Sequence, residues 1–593
     1  MKKVAKAASA LLAVLLAIWV AATAVITSAE AGDLDSLAAQ IQREYILSDD
    51  ELAETQLSLL EGAAGSLEFD GGRELAAEEE YEFSLEVDKA GEYWIAAVYA
   101  AYEDNAFENQ VQVGVNSDVR TVVLPFLWAD TRDDLIDRYG NEIQPEQYQL
   151  PYSIYYFEKY EDFTRSPIEY ELNEGENIIT IVPMNQRIKL FALYAVEPHE
   201  TPDYEDYLAM HSGAEDYSGP AITIQGEYFR AKNDSAIRAA SVQNASLTPY
   251  SPYGKLLNAT DDKSNKRIGQ ELHYEVEVPE DAFYYLSFKF SQPLKTGGLS
   301  YRTVEVDGAV PHTGLMDIGF RNTGMNTYEN YTAGGDEPVR IYLTAGIHII
   351  SIKVTAGPVD GPYHRLIDVI ADINETGLTL SRIRGSSSGS DKATDSNRTW
   401  DVFQYMPDII DRTQGWIDEL TEIYNELGGL TDGDPSFAAD IMLAVQNLER
   451  FMSKPREIPN RLNLLNDGSN SAAQLAAKSL LNIYDQNVSF DCMYLHSADE
   501  ELPSPSTNIF ERADASLRQF LFSFSPIMNE SDGVSEDADT LTVWVNKSSA
   551  YVETMRRITS EDFTMKTGID VSFAIMPDEK KVTMANSTGD TPD

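Results

Sequence analysis

Alternation of apolar and polar residues organises the first two thirds of the chain. In Tyr81 to Tyr99 (YEFSLEVDKAGEYWIAAVY) an alternating strand, a short acidic turn and a second, aromatic strand follow one another. The pattern returns in Tyr274 to Phe290 (YEVEVPEDAFYYLSFKF). Val111 to Asn116 (VQVGVN) matches Thr303 to Gly308 (TVEVDG), and Ile168 to Val182 (IEYELNEGENIITIV) matches Val339 to Val354 (VRIYLTAGIHIISIKV), each of the latter pair with a glycine turn between strands. Units this long are domains rather than solenoid repeats. One polar face, one apolar face and Gly, Asp or Asn turns predict two antiparallel β-sandwiches.

The period then changes. After the flexible Gly385 to Ser390 spacer, apolar residues recur at three and four in Trp400 to Leu427, Phe437 to Met452, Ala472 to Tyr484 and Ile509 to Phe522, which predicts a helical bundle. Val488 to Leu495 reads as a lone strand between the third and fourth helices. At the carboxyl end, Leu541 to Val545 (LTVWV) and Ile569 to Ile575 (IDVSFAI) predict strands, with a helix over Ser549 to Phe563 between them and a second over Glu579 to Ala585. A βαβα unit of two strands is a marginal domain, so the sequence suggests a longer protein cut early in its last fold.

The expected organisation is a signal peptide or N-terminal membrane anchor over 1–31, a helical lead-in over 32–62 and β-sandwich modules over 63–210 and 218–383. A Gly/Ser linker over 384–398, a helical spacer over 399–529, an acidic linker over 530–540 and the incomplete α/β unit over 541–593 follow. Lys2, Lys3 and Lys6 precede an uncharged apolar run from Ala8 to Ile26, and Ala29-Glu30-Ala31 fits a small-x-small cleavage site; the run is also long enough to span a bilayer. Both arrangements place the protein outside the cell. The single cysteine, Cys492, lies far from that run, which excludes a lipid anchor there and an intrachain disulfide, and its apolar surroundings predict a buried thiol. A formal charge of −52 repels nucleic acid and anionic lipid. Its acids are spread along the chain as on a solvated exterior, leaving room for a structural calcium in a β-module loop and for no other cofactor.

The segment LTVWVNKSSAYVETMRRITSEDFTMKTGIDVSFAIMPDEKKVTMANSTGDTPD resembles the opening of the extracellular solute-binding proteins of bacterial ABC-type sugar importers. The shared features are a first strand carrying a Trp, a helix, a "TGI-V" second strand, a Met-Pro-Asp-Glu turn and an acidic Pro-Asp. The whole layout is similar to a large subgroup in which that lobe follows two β-rich modules and a helical segment. The modules themselves look like jelly-roll, galactose-binding-like domains in pattern and order, without a diagnostic motif. The resemblance implies a sugar or oligosaccharide ligand, a membrane permease as partner, and no catalysis.

In open α/β sheets ligands sit beyond the carboxyl ends of strands, which nominates Asn546, Lys547 and Ser548 after the first strand and Asp578, beside Met576 and Pro577, after the second. Helix capping by Asn546 or Ser548 accounts for the same residues without a ligand. In the first module an aromatic insertion from Trp128 to Tyr160 nominates Trp128 and Tyr152 as sugar contacts, against the alternative that they pack the loop onto its own module. No Gly-x-Ser-x-Gly elbow, metal-spaced His/Cys set or distinctive carboxylate pair points to an enzyme. His312, His364 and Arg365 read as loop residues with structural partners. A surface glycan adhesin and an accessory region of a glycosidase are the alternative functions.

Overall fold

The computed structural model describes residues 63–101, 109–126, 128–129, 141, 153–158, 166–198, 200–250, 256–384, 402–431, 435–506, 540–545 and 569–575, with 551, 555, 558, 559 and 563. In the first module two antiparallel sheets enclose one core. The first has Gly65–Leu75, Ile188–Val196, Gly91–Ala101 and Ser153–Tyr156 in that order, with Glu169–Leu172 also on Gly91–Ala101. The second has Tyr81–Val87, Gly175–Pro183, Gln110–Val115 and Asp118–Val123. Alternate residues meet between them: Phe83 and Leu85, Val111 and Val113, Ile179 and Ile181 from one sheet, Ile95, Ala97 and Leu193 from the other. Burial of each large apolar side chain stabilises by about 1.5–3 kcal/mol.

The second module repeats this arrangement strand for strand. Glu271–Val278, Gly346–Thr355, Leu299–Val306 and Ile318–Arg321 take the places of the four-stranded sheet, and Ala282–Ser291 takes the centre of the other, flanked by Glu329–Thr332 and Arg340–Leu343. Local devices are repeated too. Asn116 and Asp307 both adopt positive φ, 53° and 52°. Each closes its turn on the neighbouring strand: Ile178 N donates to Asn116 Oδ1 at 3.2 Å, and Ile349 N to Asp307 Oδ1 at 2.8 Å. Asn and Asp tolerate this left-handed backbone better than other residues with a Cβ.

One strand of the second module comes from elsewhere in the sequence. The place of Ile188–Val196 is taken by Ser489–His496, which pairs with Ile222–Gln225 on one side and Ala282–Ser291 on the other. The strand read from sequence as a lone element among helices is therefore the centre of a sheet. Its side chains take part in that module's core, where Phe490, Met493 and Leu495 are buried. The helical segment is an insertion between the last two strands of the second module, where the first has only a short turn.

The bundle also begins earlier than expected. Asp360–Arg384 is a helix, not part of a β-module reaching 383; Pro362 sits in its first turn, where proline starts helices, and Leu366, Val369, Ile373 and Leu380 are buried in the bundle core. It packs on Ile409–Gly429 and Ala472–Tyr484, and Ala439–Met452 closes the ring against the same two. The four-helix set therefore uses Asp360–Arg384, whereas the expected helix over Ile509 to Phe522 lies outside the described residues. Trp400 to Leu427 is broken after Val402–Tyr405, ahead of Pro407, before Ile409–Gly429 begins. Across the first pair of helices Arg365 meets Glu419 and Glu426 at 2.6 and 2.7 Å. Asp372 accepts from Arg412 Nη2 and Trp416 Nε1, each at 2.7 Å.

At the carboxyl end Thr540–Val545 and Asp570–Ile575 pair in parallel, with Val545 opposite Ile575. The leader, the lead-in and residues 530–539 of the acidic linker lie outside the described residues, while Thr540, expected at the linker's end, already belongs to the strand. Among the described residues no helix is long and apolar enough to cross a membrane.

Candidate functional site

The parallel pair places the carboxyl ends of its two strands side by side at Val545 and Ile575. That is the edge from which the predicted contact residues follow in sequence, but Asn546, Lys547, Ser548 and Asp578 themselves lie outside the described residues, as does Tyr152.

Trp128 is described, and its backbone is engaged in joining the two modules. Trp128–Ala129 forms a short strand against Ala231–Lys232, extending a six-stranded sheet of the second module with a piece of the first. The indole is half-buried, its ring 5.5 Å from that of Phe126. From the same insertion, Asn141 Oδ1 accepts from Leu257 N of the second module at 2.7 Å. The insertion that carries these residues thus ties the modules together.

The same seam holds a charge cluster that sequence reasoning missed. Lys353 Nζ lies 3.1 Å from Glu158 of the first module and 3.3 Å from Glu271 of the second. Tyr155 donates to the other oxygen of Glu158 at 2.5 Å. Burial opposes the Lys353 ammonium, but Glu158, Glu271 and Glu305 outweigh it and hold the lysine above its ordinary pKa. Glu305 is pushed up to about 7, chiefly by burial, with Glu271 and Glu158 adding and Lys353 opposing. Three carboxylates around one lysine on facing surfaces make an inter-module latch. Nothing in the sequence distinguishes these acids from the rest, because their proximity arises only when residues 195 apart are folded together.

A second joint fixes the bundle to the second module. Arg302 is fully buried, and its guanidinium donates to the carbonyls of Tyr301, Asn265 and Gln486 at 2.8, 3.0 and 2.9 Å. Gln486 lies where the chain leaves the bundle, and its Oε1 accepts from Tyr301 N at 3.2 Å. Lys295 reaches the bundle as well, donating to Ile483 O at 3.2 Å; burial lowers its pKa to about 7. Tyr301 lies in the bundle core, and a Cβ on Gly357 would stand 2.5 Å from its ring, so glycine permits that contact.

The remaining candidates have structural partners. His312 is buried against the rings of Tyr204 and Tyr207, with Nε2 on Arg340 O at 3.1 Å and Nδ1 accepting from Gly314 N at 3.1 Å; burial lowers its pKa to about 4. His364 lies 3.4 Å from Asp360. Cys492 is buried, and its thiol is pushed up to about 12 by that burial and by Asp491. Among the described residues no group of three or more His, Cys, Asp or Glu could hold a metal ion.

A family model described as bacterial solute-binding protein, 4-helix bundle domain, matches residues 362–483, almost the whole of the inserted bundle. The match is to the bundle alone and supports a solute-binding protein relationship for that segment. No curated protein matches the chain. Among solved structures, a family 35 carbohydrate-binding module from Clostridium thermocellum is 16% identical, with 23% of this chain and 89% of that one covered, at a TM-score of 0.18. A ruminal GH26 endo-β-1,4-mannanase is 14% identical, with 22% of this chain and 20% of its own covered, at 0.15. A Paenibacillus xanthan lyase is 11% identical, with 50% and 24% covered, at 0.15. The chain spans only a fifth of the mannanase.

Proposed function

We propose that this chain is the extracellular, non-catalytic solute-binding component of an ABC-type sugar import system. The observation that carries this reading is the four-helix bundle, matched over residues 362–483 to a bundle domain of bacterial solute-binding proteins. The parallel strand pair that follows it supports the same reading, since a ligand cleft in an α/β lobe opens at the strand ends that Val545 and Ile575 mark. In this reading Asn546, Lys547, Ser548 and Asp578 border the sugar cleft, and a membrane permease recognises the closed lobe. The two β-modules, jelly-roll and galactose-binding-like in pattern, hold the bundle at the cell surface through the Arg302 joint.

A strain lacking the gene should lose uptake of one labelled oligosaccharide at micromolar concentration, at least tenfold, while uptake of unrelated monosaccharides is unchanged. Unaltered uptake across an oligosaccharide panel, together with lost attachment of cells to a polysaccharide surface, would instead establish the adhesin alternative.

A further inference from the structure

The duplication supplies an internal comparison for one buried pair of charges. In the second module the pairing of Ala282–Ser291 with Ser489–His496 shifts register after Lys289. Lys289 lies opposite Cys492 and Phe290 opposite Phe490, so Asp491 is the extra residue of a bulge. The first module has the same bulge at the same place. There Val98 lies opposite Ala192 and Tyr99 opposite Leu190, and Phe191 is the extra residue. Val98 and Phe191 pack in one apolar cluster, so the fold itself calls for no charge at either position.

The second module carries Lys289 and Asp491 there. Nζ and Oδ2 lie 2.6 Å apart, and the two side chains are 3% and 0% exposed. Among the described residues no other lysine–carboxylate pair is closed to solvent on both sides. A buried ion pair stabilises a fold no better than well-packed apolar residues in its place, and apolar residues are what the first module uses. The bulge aims Asp491 at the lysine, and a loop covers the pair. Thr248 N donates to Asp491 Oδ1 at 3.1 Å, Lys289 Nζ donates to Ser246 O, and the intervening Leu247 is buried with Ala259 and Tyr328.

We infer that Lys289 and Asp491 condense to an amide, a covalent cross-link between Ala282–Ser291 and Ser489–His496. The atoms balance without a co-reactant. Nζ passes one proton to Oδ2, and the neutral amine then attacks Cγ, forming the N–C bond as the Cγ–Oδ2 bond breaks. A second proton leaves the nitrogen with Oδ2, so the ammonium and carboxylate become a secondary amide and one water. Burial disfavours both charged forms and so promotes the first transfer; it holds the Asp491 carboxyl up at about 6, against the opposing effects of Lys289 and the Thr248 N–H. That N–H also faces the oxygen on which negative charge develops during the attack. The amide keeps both contacts already in place, its N–H on Ser246 O and its carbonyl on Thr248 N. Exclusion of water protects it from hydrolysis.

The chain's single cysteine allows no disulfide within it. The cross-link ties the strand before the inserted bundle to the strand after it, so a pull on the carboxyl-terminal unit reaches the β-module without passing through the helices. The bond forms whether or not the importer reading holds.

Mass spectrometry of the full-length chain tests it. The wild type should be lighter than the sequence from its observed N terminus by one water. A tryptic digest of the denatured protein should contain a branched peptide joining the Lys289 and Asp491 segments, with no cleavage after Lys289. Lys289→Arg, which keeps the ion pair, and Asp491→Ala should each carry their full mass and unfold at lower guanidinium concentration than the wild type. A wild-type chain of full mass, cleaved by trypsin after Lys289, overturns the inference, and that result needs neither variant to fold. Loss of water that persists in both variants places the dehydration elsewhere and overturns it equally.

Discussion

Replacing Lys353 by methionine should destabilise the protein by about 3–5 kcal/mol at pH 8, because it leaves Glu158, Glu271 and Glu305 facing one another across the seam without their cation. The effect should shrink at pH 5. A carboxyl whose folded pKa lies above its unfolded value of about 4.3 holds a proton in the folded state that it loses on unfolding, so stability falls as pH rises through that interval. Glu305 is already raised to about 7 in the wild type, and loss of Lys353 removes the cation that opposes this rise. Guanidinium melts of wild type and variant at both pH values measure this. Calorimetry should also show the two β-modules of the variant melting apart, since the latch joins a residue of one to a central strand of the other.

Arg302→Ala should cost about 4 kcal/mol, combining three orphaned carbonyls with a cavity in a sealed joint. The loss falls on the connection between bundle and second module rather than on either core. Far-ultraviolet circular dichroism should therefore show the helices of the variant unfolding before the sheets, in place of one transition. Arg302→Met, which keeps the volume, should recover part of the stability by filling the cavity but leave the carbonyls unpaired.

Much of this architecture can be read directly from the chain, and the exceptions have a common cause. Tyr81–Val87 and Gly91–Ala101, like Glu271–Val278 and Ala282–Ser291, are visible as strands because period-two alternation is local, but each successive two lie in opposite sheets instead of pairing with each other, since which strands pair is not a local property. Ala472–Tyr484 is visible for the same reason, with Ser471 capping it through Gln474 N. Ser489–His496 is legible as a strand yet silent about its partners, because strand pairing is non-local and a run buried on both faces has no alternation to orient it. All eight of its residues are buried. Asp360–Arg384 was concealed by Gly361 and Pro362 directly after a strand, where they read as a turn although proline in a first turn begins a helix.

The candidate site divides in the same way. Trp128 stands out in the sequence as an aromatic in a polar insertion, but its place against Ala231–Lys232 depends on a second domain. Lys353 and Glu158 are invisible among residues of their kind.

The central structural claim is that the bundle is an insertion into a duplicated β-module which Ser489–His496 completes. Native-state hydrogen exchange of the whole chain in increasing denaturant tests it most directly. The amides of Ser489–His496 should lose protection together with those of Ala282–Ser291, their partners in the sheet, at a free energy distinct from that of Ala472–Tyr484. Exchange of Ser489–His496 in step with the bundle helices, while Ala282–Ser291 remains protected, would contradict the insertion.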